Sequence, residues 1–326
     1  MPKFDGRVCD TMPKKQLTII VAFAALYVIW GSTYLGIRFA IETIPPFLMA
    51  GIRYFLAGVL MYAIARMRDG TRPSAADWKT SLIVGACLLL GGNGGVTISE
   101  QYISSGLAAL MVATVPIYMV ILGWAMHMTP RPRPFVWLGL AGGFLGVGIL
   151  VGPALKFSPG EQHHPGIGML ILLCSSFIWS AGSLYSRNAK NAASPFVAAG
   201  QQMLCGGALL MVAGVIAGEL PRFHPRAISL LSLGAFIYLV LIGAIVGFTA
   251  YIWLLRHCDP AKVATYAYVN PIVAVLLGAA FAGETLSARA AVAAALIIGS
   301  VALVITAQHI KPKGIPPIAA VVAQPE

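Results

Sequence analysis

Apolar residues come in ten blocks of 17 to 28 positions, and each break between them carries proline, glycine or charge. The blocks cover 17–37, 47–65, 81–98, 106–126, 135–151, 166–186, 196–217, 228–255, 263–282 and 290–307. A helix needs about 20 apolar residues to cross the hydrocarbon of a bilayer. The spacing therefore predicts an all-α integral membrane protein with ten transmembrane helices. The breaks read as turns, from Ile44-Pro45-Pro46 to the charged and proline-rich stretches at 66–77, 129–134, 187–195 and 256–260. Residues 1–15 read as a disordered cytoplasmic N-terminus, 153–165 as a periplasmic connector and 310–326 as a cytoplasmic tail. The first block is followed by further spans and shows no cleavage site, so it reads as an anchor and not a removed signal. Met12-Pro-Lys-Lys resembles a chain start as much as Met1-Pro-Lys does.

Composition agrees with this pattern. The 326 residues are 58% hydrophobic and only 10% charged, and the mean hydropathy is +0.83. A soluble domain carries about 25% charged residues, so too little charge is present to cover a surface facing water, and membrane lipid is an expected partner. The net charge of +11 does not mark a nucleic-acid binder, because Lys and Arg stand singly or in short clusters between apolar runs. With both termini placed in the cytoplasm, sixteen of the 22 basic residues fall inside, five fall outside and Arg53 lies within a span. Cytoplasmic loops are the basic ones, so this asymmetry sets the orientation. Cys9, Cys87, Cys174, Cys205 and Cys258 form no CxxC and read as small packing residues.

The chain also repeats itself. Residues 30–61 align on 179–210 at a constant offset of 149, with ten identities in 32 positions, among them Trp30/Trp179, Arg38/Arg187, Pro46/Pro195, Gly51/Gly200 and Gly58/Gly207. A second register, at offset 155, pairs Pro116 with Pro271 and Gly123 with Gly278. Five spans per half is odd, so the second half enters the membrane from the opposite side. The expected architecture is a 5+5 inverted repeat over 16–152 and 166–309, the layout of secondary transporters that place a substrate site between halves.

Several stretches resemble the EamA-type branch of the drug/metabolite transporter superfamily. They are Tyr27-Val-Ile-Trp30-Gly-Ser-Thr-Tyr34, Pro45-Pro46 with Ala50-Gly-Ile-Arg53, Ala113-Thr-Val-Pro116, and Tyr266-Ala-Tyr-Val-Asn270-Pro271 followed by Gly283-Glu284-Thr-Leu. The resemblance implies an inner-membrane exporter of small metabolites or drug-like compounds, working by alternating access through a central cavity. Where many members carry an acidic residue after the fourth span, this chain has Thr129, matching Glu284 after the ninth.

The candidate cavity residues are Trp30, Tyr34, Asn93, Pro116, Trp179, Gln202, Tyr251, Tyr266, Asn270 and Pro271. Proline frees a backbone carbonyl and bends a helix, and interrupted helices at matching places in two halves point to a transport site. An inherited kink with a packing role is the other reading of Pro116 and Pro271. Tyr266 and Asn270 share a helix face, and an amide at this depth needs protein or water. Gly91-Gly92-Asn93-Gly94-Gly95 either loosens the third span or admits a close neighbour. Trp30 and Tyr34 share a face, with Trp179 in the matching place; such a stripe either fills helix contacts or faces a cavity for uncharged or cationic organic substrates. Gln201 and Gln202 are further polar candidates. The glycine-rich fifth span reads as peripheral or as a homodimer contact.

Charges inside spans mark function. Arg53 needs a carboxylate or water, and Glu100 and Glu42, on the same side, are the nearest candidates; an outer Arg53–Glu100 gate is expected, with snorkelling to the interface as the alternative. No acid or histidine lies at mid-span, which leaves Glu100 and Glu284 as gate or coupling groups. His163-His164 has no companion ligands, so neither a metal nor another cofactor is implied. A membrane enzyme would need clustered acids and histidines at one interface. A channel or uniporter stays open as the alternative to a carrier.

Overall fold

The computed structural model describes residues 11–70, 72–128, 131–132, 134–151, 165–189, 194–258, 260–283 and 287–309. The expectations for the connector at 153–164, the tail at 310–326, Glu284, His163 and His164 lie outside these residues. The described chain is helical throughout, in the order α1 (Thr11–Ala40), α2 (Pro46–Asp69), α3 (Ala75–Ser99), α4 (Ser105–Ala125), α5 (Pro134–Val151), α6 (Pro165–Asn188), α7 (Pro195–Ile216), α8 (Leu230–His257), α9 (Tyr266–Phe281) and α10 (Ala288–His309). Among the described residues, seven helices, α1 to α4 and α6 to α8, are long and apolar enough to cross a membrane; α5, α9 and α10 carry shorter apolar stretches. Large apolar side chains stand exposed on the outer faces, such as Leu17, Met67, Leu138, Val212 and Leu276, as they do where lipid replaces water.

Two helix ends depart from expectation. α1 begins at Thr11, inside the stretch expected to be disordered; Pro13 falls in the first turn, where its missing N–H has no helical partner to lose. α2 runs past residue 65 to Asp69, with Arg66 and Arg68 at its negative end. Gly70 then closes it at φ 62°, its N–H bonded to Arg66 O at 3.1 Å.

The centre of the fold is the crossing of α2 with α7, the second helices of the two repeats. Lipid is as apolar as a leucine face, so membrane helices associate through close packing at small residues. A Cβ on Gly51 would lie 2.7 Å from the Met211 backbone, one on Gly207 2.5 Å from Phe55 N, one on Gly58 2.6 Å from Leu204 N, and one on Gly200 2.7 Å from Tyr62 N. Partner numbers fall as residue numbers rise, so the two helices run antiparallel. At the offset of 149, the contact of Gly51 with Met211 becomes that of Gly200 with Tyr62, and Gly58 with Leu204 becomes Gly207 with Phe55. The glycine identities seen in the sequence are thus one interface related to itself by a pseudo-two-fold axis.

The same relation recurs elsewhere. α1 packs on α8 and α9, and its counterpart α6 packs on α3 and α4. The third helix of each half carries a π-helical segment, Ala86–Gly94 in α3 and Leu239–Phe248 in α8. Such widened turns are rare and occur mostly at functional sites. α5 packs against α10, with Gly142 and Gly146 facing Ser300 and Ile297 and Gly143 facing Ile117. The glycine face of the fifth span is therefore covered within the chain.

α4 is interrupted at Ala113-Thr114, and Pro116 starts its second half, at a position where no helical N–H is lost. In the second half of the chain the interruption falls earlier, between the short turn Pro260–Val263 and α9, while Pro271 sits inside α9. Both prolines are buried.

Candidate functional site

The interrupted, π-distorted and glycine-bearing helices leave a cavity between the halves, with about 600 Å³ of atom-free space including its mouth. Trp30, Tyr34, Asn93, Trp179 and Tyr266 of the expected cavity residues line it, and so does Arg53, which was expected at a gate. Thr33, Tyr54, Ser175, Ser176 and Gly243 complete much of its polar and small-residue wall.

The repeat-equivalent tryptophans meet here. Trp30 and Trp179 stand edge to face, with ring centroids 5.4 Å apart. Tyr251 lies 4.9 Å from Trp30 and 5.3 Å from Trp179, and Tyr266 lies 5.0 Å from Trp30. Trp179 Nε1 donates to the Tyr251 hydroxyl at 3.1 Å, and Ser183 Oγ shares a 2.6 Å bond with the same hydroxyl. Each indole rests on a glycine of the opposite half. A Cβ on Gly247 would lie 2.6 Å from Trp30 Nε1, and one on Gly92 would lie 2.5 Å from Trp179 Cε3. Gly92 and Gly247 correspond when the offset of 155 is carried back into the third helix. Both belong to the π-helical segments, so the distortion of α3 and α8 positions the two indoles.

Arg53 departs from expectation in its partner. The residue is only 2% exposed. Nη2 donates to Asn93 Oδ1, and the guanidinium carbon lies 4.4 Å from the centre of the Tyr54 ring. Among the described residues its hydrogen-bond partner is thus Asn93 and not Glu100, and its burial removes the snorkelling alternative. The reason is helix phase: α3 presents Asn93 toward α2, whereas Glu100 lies beyond the end of α3 and outside the cavity wall. Glu100 is itself 2% exposed and lies within electrostatic range of Tyr34.

Four other candidates stand near the cavity without lining it. Tyr251 forms the aromatic layer just described. Asn270 ties α9 to α1: oriented to satisfy its surroundings, its amide nitrogen donates to Tyr266 O at 3.0 Å and Tyr27 O at 3.2 Å. Close by, the Tyr27 hydroxyl bonds Thr265 Oγ1 at 2.6 Å. Pro116 stands next to Val115, which does line the cavity, and Pro271 sits five residues beyond Tyr266. Gln202 is buried in α7, away from the cavity. Ser175 and Ser176 gave no signal in the sequence, because hydroxyls are common in membrane helices. Tyr54 could have been found as the neighbour of the one arginine inside a span.

Comparison with known proteins matches this arrangement. The model of the EamA-like transporter family fits residues 17–152 and again 166–306. The chain belongs to the EamA-like transporter family. The inner membrane transporter YedA of Escherichia coli K12 is 36% identical over 92% of this chain and 94% of its own length. The transporter YvbV of Bacillus subtilis is 26% identical over 90% and 93%. A Salmonella typhimurium protein named "Probable amino-acid metabolite efflux pump" is 23% identical over 83% and 89%. A solved crystal structure, 20% identical, superposes at a TM-score of 0.64 over 92% of this chain and all of the other, and shares its fold. This EamA member is a multi-pass membrane transporter, and the two family matches coincide with the two halves that meet at Trp30 and Trp179.

Proposed function

We propose that this EamA member is an inner-membrane secondary transporter that exports small organic solutes by alternating access. In this reading α5, α9 and α10 complete a ten-span 5+5 inverted repeat, with both termini in the cytoplasm as the basic loops imply. The observation that carries the reading is the meeting of Trp30 and Trp179 beside the cavity. A hollow on the pseudo-two-fold axis changes its access when one half rocks against the other. Glu100, near Tyr34, is then the gating or coupling carboxylate of the first half. The names of the YedA and efflux-pump relatives support the location and the outward direction.

Counterflow in proteoliposomes tests this. Vesicles preloaded with a transported solute should take up labelled solute transiently above equilibrium. Uptake that only relaxes to equilibrium, unaffected by solute on the far side, belongs to a channel and would end the carrier reading.

A further inference from the structure

We propose that the cavity is built for an organic anion, its carboxylate held by Arg53 and Asn93 and its apolar or aromatic body lying against Trp30, Trp179 and Tyr266. The inference rests on the transport reading and gives it a substrate class.

The argument starts from charge. A guanidinium stays protonated in a protein and offers five N–H donors in a planar fork that matches a carboxylate. Arg53 is buried at the cavity wall with a neutral amide, Asn93, as its hydrogen-bond partner. Asn93 leaves the positive charge in place, and Arg53 Nε has no partner among the described groups. A second donor in the same wall, the Ser176 hydroxyl, is 3% exposed and likewise lacks a partner. The described wall holds this one fixed positive charge and no carboxylate. A buried charge is costly unless paired, so Arg53, whose hydrogen-bond partner in the wall is a neutral amide, favours an anion in the cavity and disfavours the cation that the aromatic stripe alone would suit. The rest of the lining is apolar or aromatic, including Ile37, Val96, Val112 and Val115.

Binding of three matched probes to the purified full-length protein tests the proposal: 3-phenylpropanoate, its amide and 3-phenylpropylammonium, read by tryptophan fluorescence and equilibrium dialysis. The carboxylate should bind about 10-fold to 100-fold more tightly than the amide, as expected for a charge-assisted hydrogen bond. In Arg53→Gln that ratio should fall to about one, with thermal unfolding showing that the variant is folded; Arg53→Lys should retain part of the preference. Should Arg53→Gln fail to fold, Asn93→Asp, which supplies Arg53 with an internal carboxylate, should remove the preference in the same way. Equal binding of carboxylate and amide in the wild type, or a preference that survives both variants, overturns the proposal. Binding of the amide or ammonium alone leaves the transport reading standing and removes the anion site. If no probe binds, the anion site falls, while the transport reading is decided by counterflow alone.

Discussion

The two halves of the molecule share their backbone devices and differ in their polar chemistry. Trp30 and Trp179, Gly92 and Gly247, and the four glycines of the α2–α7 crossing occupy equivalent places and make equivalent contacts. The polar positions do not correspond. Arg53 aligns with Gln202, Asn93 with Phe248, and Tyr34 with Ser183. Arg53 and Asn93 bond to each other at the cavity, whereas Gln202 and Phe248 are buried away from it. The shared positions set the packing of one half on the other, and the unshared Arg53 and Asn93 give the cavity wall its charge. In the proposed reading the mechanism is symmetric and the recognition is not, and substitutions at equivalent sites separate the two.

The largest effect belongs to the shared crossing. Gly58→Leu and Gly207→Leu each force a side chain onto backbone, 2.6 Å from Leu204 N and 2.5 Å from Phe55 N at the Cβ alone. Neither helix can yield without losing its other contacts, so each should cost more than about 3 kcal/mol. Loss of the monodisperse peak on size exclusion and a collapsed thermal transition check this. Because the sites are equivalent, the two variants should fail alike, and a large inequality would break the pseudo-symmetry.

Next comes the reciprocal exchange at the aligned polar pair. Gln202→Arg places a guanidinium in a buried site without a cavity and should destabilise by about 3 kcal/mol. Arg53→Gln should preserve most of the fold, because Gln can still meet Asn93, and should instead reduce transport. Thermal unfolding and uptake measured on both variants sharpen the comparison. If the double exchange restored transport, the halves would be interchangeable and the asymmetry would carry no chemistry.

The aromatic layer gives a smaller and graded difference. Trp179 donates to Tyr251 and is 8% exposed, while Trp30 borders the cavity and is half-buried. Trp179→Phe loses packing and a hydrogen bond, about 2 kcal/mol; Trp30→Phe trims a ring that borders open space, about 1 kcal/mol. Melting temperatures should rank in that order.

The sequence carried the shared half of this picture well and the unshared half poorly. Glycines and tryptophans repeat at fixed offsets because both halves use the same backbone approaches, so comparing the chain with itself found them. The π-helical segments were legible only as a glycine cluster around Asn93, since the wider turn depends on neighbours and has no code of its own. The pairing of Arg53 with Asn93 needs the rotation of α2 relative to α3, which apolar spans leave undetermined. Depth along the helix was legible and suggested Glu100; azimuth was not, and it selects Asn93.

The smallest difference lies at the N-termini of α2 and α7, and it too was hidden. Helix starts leave N–H groups that a side-chain oxygen normally caps. α7 follows the rule, with Ser194 Oγ accepting from Val197 N at 3.3 Å. The equivalent cap of α2 is Pro45, which has no side-chain acceptor. Glu219, in the turn after α7, supplies it from the other half: its carboxylate accepts from Phe47 N at 3.1 Å and Leu48 N at 2.9 Å. The position equivalent to Glu219 at the end of α2 is Gly70, which has no side chain to do the same for α7. The cap thus joins the two halves across the very crossing they share, in one direction only. Glu219→Ala should cost about 1 kcal/mol, in the range of cap deletions, and should loosen the start of α2 as well as lower the melting temperature. Ser194→Ala should cost a similar amount or less and affect only α7. Hydrogen exchange resolved to the first turns of the two helices reads the difference: faster exchange at Phe47 and Leu48 in Glu219→Ala, with Val197 unchanged, is the expected result. Equal exchange at both helix starts would mean that the cap contributes nothing across the interface.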